Sequence, residues 1–195
     1  MLDLEIIPHR AISHDTWEVV IGSPVGDVIQ SLQAAVDKVK HVDFGYVECD
    51  PEQDYHITLP NDGIRFVFCA HSQRLKKIEI YDMKLCALRY GEIYFNSNTV
   101  SPTLSQIDAS FGATHPGEYS SQLGEYVLTF RGLAFTFDSQ GEPGPNSLVK
   151  KCIIFGEWPT MFRVLCSILS FRGHRLLWMR GTTGPNARHY PSRNC

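Results

Sequence analysis

Cys69-Ala-His71, and Asp108 with His115, are the two places where residues able to do nucleophilic or acid–base work come close in the sequence. A cysteine beside a histidine attacks as thiolate only where a positive neighbour lowers its pKa, and an acid–base pair works only where both groups reach one proton. Cys69 and His71 fall at the end of an expected strand with no such neighbour. Asp108 belongs in a helix and His115 lies beyond its end, so both pairs read as structural. A Cys/His enzyme is therefore the weakest reading. The eight histidines and six cysteines never fall at ligand spacing, which argues against zinc. Neither G-x-G-x-x-G nor G-x-x-x-x-G-K-[ST] occurs, so no nucleotide cofactor is expected. No catalytic, cofactor-binding or metal-binding residue is assigned.

The segment Asp108 to Tyr119 carries the best candidate for a contact surface. It combines a helix stop at Gly112, a second turn at His115-Pro116-Gly117 and flanking aromatics. One reading is a rigid helix-to-strand corner with packed rings; the other is a corner that shows Phe111, Thr114, His115, Pro116 and Tyr119 to a partner.

Such a corner needs a scaffold, and the composition supplies one. Apolar residues make up 43% of the 195 residues and charged residues 20%, the usual globular mix. The net charge of −3 gives no overall pull towards nucleic acid. Scattered cysteines without C-x-x-C fit reduced thiols in the cytoplasm. The start, with Asp3 and Glu5 ahead of the first base, lacks the pattern of a secretory signal. Met161 to Phe171, the longest apolar-leaning stretch, is too short to span a bilayer and contains Arg163.

Ser23-Pro24 is read as a helix start, with Ser23 as cap, and Val25, Val28, Ile29, Leu32, Val36 and Val39 line one face of a helix running to about Lys40. The period then changes to two. Val42 to Tyr46, Tyr55 to Leu59, Ile64 to Phe68 and Leu75 to Ile80 read as strands, with Asp62-Gly63 closing a hairpin. Met83 to Phe95 is strand-like and links the two parts. From Ser101 the same order returns: a short helix with Leu104, Ile107 and Phe111, a hairpin about Arg131-Gly132, the glycine- and proline-rich surface loop Ser139 to Ser147, and a Lys-Lys strand at Leu148 to Ile154. The expected fold is thus α+β, two repeated units of helix followed by antiparallel β-meander. The expected divisions are 1–90, 91–157 and a basic, poorly ordered tail, 158–195.

Met1-Leu-Asp-Leu-Glu, Gln73-Arg-Leu-Lys76, Phe95-Asn-Ser97, Gln106-Ile-Asp108, Ser110-Phe-Gly-Ala-Thr-His-Pro-Gly117 and Phe130-Arg-Gly-Leu133 resemble the eukaryotic phagosome assembly factor family, over about residues 1–155. The resemblance implies a non-enzymatic autophagy adaptor that pairs with a β-propeller protein and gathers at phagophore assembly sites through phosphoinositide recognition. It implies no catalytic residue. Chains of that family are longer. From Trp158 on there are six arginines, no lysine and no acid, leaving twelve bases against twenty-one acids in residues 1–157, a net −9. This break reads as an alternative exon, a frame change or a gene-model error. The alternative is a peripheral phosphoinositide or membrane-surface binder acting through the arginine-rich tail.

Overall fold

Alternation and turn chemistry set most of the strands, and their long-range partners set the architecture. The computed structural model describes residues 1–35, 37–39, 41–45, 53–112, 117–121 and 124–156. In chain order the elements are β1 Leu2–Ile7, β2 Ala11–His14, β3 Trp17–Val20, α1 Val25–Ala34, β4 Asp43–Gly45, β5 Tyr55–Leu59, β6 Ile64–Phe68 and β7 Leu75–Ile80. They continue as β8 Cys86–Tyr90, β9 Ile93–Asn96, α2 Leu104–Phe111, β10 Glu118–Ser120, β11 Glu125–Phe130, β12 Leu133–Phe137 and β13 Val149–Phe155.

Two sheets contain all of these strands. A five-stranded sheet runs β3-β2-β1-β8-β9, and an eight-stranded sheet runs β10-β11-β12-β13-β7-β6-β5-β4. Every pairing is antiparallel except β1 with β8, where Leu4 lies beside Leu88. Facing residues of the two sheets share one core, with Leu4, Ile6 and Phe95 from the smaller and Phe66, Ile78, Phe135 and Ile154 from the larger. Burying an apolar side chain of this size stabilises by about 1.5–3 kcal/mol. α1 packs by β3 and α2 by β9, so each helix flanks one edge of the smaller sheet.

The expected α+β fold of two repeated helix-plus-meander units is corrected by this architecture, which is mostly β-sheet. The two meanders do not stand as separate units. β13 pairs with β7, Cys152 opposite Ile80 and Ile154 opposite Ile78, making one continuous sheet. Leu2 to Val20, to which the periodicity assigns no element, and Cys86 to Asn96, most of which reads as a strand-like link, form a whole second sheet. Local periodicity reports that a strand exists and says little about which distant strand it joins.

The turns follow local chemistry closely. Gly63 has φ +68°, and a Cβ there would lie 2.5 Å from the carbonyl oxygen of Asp82. Arg131 and Gly132 both take positive φ, 33° and 80°, as the tightest hairpin turns require. The first helix differs from expectation: Pro24 holds the cap position without a side-chain bond, and α1 ends at Ala34 rather than near Lys40. Val39 still reaches the core, through a turn whose amide bonds to Ala35. In β4 the Phe44 ring is 61% exposed. The expected tail, 158–195, lies outside the described residues.

Candidate functional site

Both ends of α2 are tied down by groups that answer its free backbone bonds. Thr103 Oγ1 accepts the amide of Gln106 at 3.2 Å, and the carbonyls of Pro145 and Ser147 accept the amides of Ser105 and Leu104. The loop read as free surface between Ser139 and Ser147 therefore helps to hold the helix start. At the other end Gly112 takes φ +78° and its amide bonds to the Asp108 carbonyl. That conformation favours glycine.

Phe111, on the last turn of α2, is only 6% exposed. Its ring stacks on Tyr90 at 4.7 Å between centroids and meets Phe95, Phe135 and Phe130 at 5.1, 5.3 and 5.4 Å. Such aromatic contacts add about 0.5–1.5 kcal/mol beyond area burial. Tyr90 and Phe95 belong to the smaller sheet and Phe130 and Phe135 to the larger, so Phe111 fastens α2 to both. The ring is taken up by the core and is not shown to solvent.

Across the corner, a Cβ on Gly117 would lie 2.2 Å from the Tyr126 ring. The Tyr126 hydroxyl donates to the Gly117 carbonyl at 3.0 Å. The ring thus locks the start of β10 against β11. Tyr119, on β10, is 41% exposed. Thr114, His115 and Pro116 lie outside the described residues. Of the five candidate contacts, the structure places Phe111 inside and Tyr119 on the surface.

Among the described residues Cys69 and His71 are not joined through their side chains, and the pair of Asp108 with His115 falls partly outside the described residues. Asp108 and His71 are exposed. The Ser72 hydroxyl, then the Ser72 amide, hold the Cys69 thiol below its ordinary pKa against the opposing effect of burial. His71 adds to this through its backbone and not its ring. Burial, with Asp62 and Asp82, pushes the Cys86 thiol up to about 12, and burial next to Cys86 pushes the Cys152 thiol up as well. Such thiols stay protonated and inert. Among the described residues no three His, Cys, Asp or Glu side chains gather as metal ligands. No described helix is long and apolar enough to cross a membrane.

A cleft of about 400 Å³, absent from the sequence reading, opens near Tyr81, Lys84, Asn96, Asn98, Leu148 and Lys150. Asn96 fixes one wall, donating to the carbonyls of Met83 and Cys86 at 2.5 and 2.6 Å. Its residues come from distant parts of the chain, so no spacing in the sequence announces it. Lysine and amide donors beside exposed Leu148 suit binding of a polar group with an apolar neighbour.

The sequence profile of the family described as Phagosome assembly factor 1 matches residues 15–154. A PHAF1 protein of Drosophila melanogaster is 46% identical over 138 residues, covering 70% of this chain and 32% of that protein. A PHAF1 protein of Caenorhabditis elegans is 31% identical over 139 residues, covering 71% and 33%. One of Arabidopsis thaliana is 31% identical over 133 residues, covering 68% and 31%. No solved structure matches. The chain spans about a third of the length of these curated relatives. The family's description is that of an assembly factor. With a match that takes in the strands from β3 to β13, both helices and the α2–β10 corner, this chain belongs to the phagosome assembly factor 1 family.

Proposed function

We propose that this chain acts as a non-enzymatic adaptor of phagosome assembly in autophagy, cytoplasmic and recruited to phagophore assembly sites, where it meets a β-propeller protein. The observation that carries the reading is the family match over residues 15–154. The corner supports it physically. β10 is an edge strand of the eight-stranded sheet, and Tyr119 stands exposed on it. An edge strand has free backbone donors and acceptors that a partner strand can pair with, and tyrosine is favoured at interface centres.

Co-precipitation of the β-propeller protein with the full chain, and with its Tyr119→Ala and His115→Ala variants, tests this. Recovery should be weaker than with a full-length relative, should persist at raised salt, and should fall in both variants. Specific interfaces bury about 1,200–2,000 Å² in total and depend on a few anchor residues, some of which would lie in the two thirds of the relatives' length that this chain does not span. No recovery where a full-length relative succeeds would overturn the reading. A second reading, a phosphoinositide surface bound through the tail, is favoured by the six arginines after Trp158. Flotation with phosphoinositide vesicles, lost on neutralising those arginines and on raising salt, would support it.

A further inference from the structure

Cross-strand register carries one apolar row through the eight-stranded sheet. Leu133, Ile154, Ile78, Phe66, Ile57 and Phe44 stand opposite one another in turn, from β12 across to β4, so all six point to the core face. The first five are completely closed to water, and Phe44, the last, is 61% exposed. β4 ends the sheet, and no described strand pairs with its other side. Beside it a groove of about 190 Å³ opens between α1 and β5, lined by Ile29, Leu32, Val39, Val42 and Ile57, with Gln33 its one polar side chain. That is smaller than the roughly 300–1,000 Å³ of a small-molecule site and on the scale of a side chain. The core is thus open at the same place as a strand edge with unpaired backbone groups, a combination that recruits another strand.

We infer that a second copy of this chain docks on this edge, β4 against β4 antiparallel, with Phe44 opposite the partner's Phe44. A two-fold axis through that pair places Asp43 opposite the partner's Gly45. On the core face the two Phe44 rings then meet, and the open ends of the two apolar rows close on each other. The outer face fits as well. A Cβ on Gly45 would run into the His56 imidazole, so that ring leans over Gly45 at the margin of the sheet. The partner's Asp43 arrives beside it, and an imidazole N–H donates to a carboxylate whether or not the ring is charged. Within its own chain Asp43 already lies 2.8 Å from His41, so its carboxylate ends between two imidazoles. Sliding the register to bring Asp43 opposite the partner's Asp43 would set like charges together and part the rings. This self-complementarity of rings and charges marks a second copy, and not an unrelated strand, as the occupant.

Sedimentation velocity of the full chain over a concentration series tests this. The expected result is a monomer–dimer equilibrium that Phe44→Asp weakens by about tenfold or more. Asp43→Lys should weaken it by a smaller factor, even though it lowers the net negative charge that keeps two copies apart. Hydrogen exchange at the β4 amides should slow as the concentration of the wild type rises. Should Phe44→Asp fail to fold, Phe44→Ser carries the same expectation. A wild type that stays monomeric up to roughly 0.3 mM, or a dimer of undiminished strength in a folded Phe44 variant, would overturn the proposal. An Asp43→Lys dimer as strong as the wild type would overturn the register. Slowed β4 exchange in a monomer only on adding the β-propeller protein would give the edge to that protein and sink the second copy as its occupant.

Discussion

The outer face of the eight-stranded sheet differs sharply between its two halves. Over β5–β7 it is a charged surface, with Arg65 3.6 Å and Lys77 2.6 Å from Glu79. Over β11–β13 the same alternation places Val127, Ala134, Ile153 and Phe155, all closed to water. The inward faces are alike, since Phe66 and Phe135 are both fully buried. One side of the sheet is thus built to a common requirement, and the other differs between its halves, charged over one and apolar and buried over the other. An antiparallel sheet tolerates both, because only the face against the core must be apolar.

The largest effect should come where the halves agree. Phe66→Ala and Phe135→Ala should each cost roughly 3–5 kcal/mol by chemical denaturation, because each leaves a cavity in the shared core. A cost below about 1 kcal/mol for either would break the equivalence of the inward faces. The next effect should separate the halves. Ile153→Ala should cost about 2–4 kcal/mol, and Val67→Ala, its part-exposed counterpart on β6, less than about 1 kcal/mol. Equal losses would mean that the outer faces are equivalent after all.

Glu125 sharpens the contrast through pH. Burial raises its pKa, but Lys150 and Lys151, with Nζ atoms 2.9 and 3.2 Å from its Oε1, outweigh that and hold the carboxyl below its ordinary 4.5. A carboxylate with a lowered folded-state pKa contributes stability above the ordinary value and loses it as pH falls through the folded value. Between pH 7 and 3 the urea midpoint of the wild type should therefore fall more steeply below 4.5 than that of Glu125→Gln. Parallel curves would show that the lysine pair contributes nothing. The smallest effect should be at Tyr119. Tyr119→Ala should change stability by no more than about 0.5 kcal/mol, as for an exposed side chain away from the core. A larger loss in urea denaturation would make the corner a structural element and not a contact surface.

Much of this could be read locally. The reversals at Gly63 and at Arg131-Gly132 follow from the positive φ those turns demand, and the Thr103 start and Gly112 stop of α2 from the capping chemistry of their residues. The inward set Ile64, Phe66 and Phe68, and its counterpart Leu133, Phe135 and Phe137, follow from period-two alternation. Ser23 misled as a cap because Pro24 and Val25 are engaged by the β6–β7 turn, Pro24 bridging to Arg74 and the Val25 amide bonding to Gln73. Phe111 was legible as apolar on a helix; that its partners come from both sheets was not.

The sequence alone therefore determined where the two meanders reverse, which segments extend beyond α1, which of their side chains share a face, and through its motifs the family, while β1–β3 went unread. These are consequences of dihedral preference and of side-chain period, which act over a few residues. Tertiary structure decided the rest: the parallel pairing of β1 with β8, the joining of β7 to β13, the cleft at Asn96, and the closing of one outer half-face while the other stays in water. Those outcomes depend on contacts between residues far apart in the chain, and alternation makes two faces on every strand without saying what will cover either.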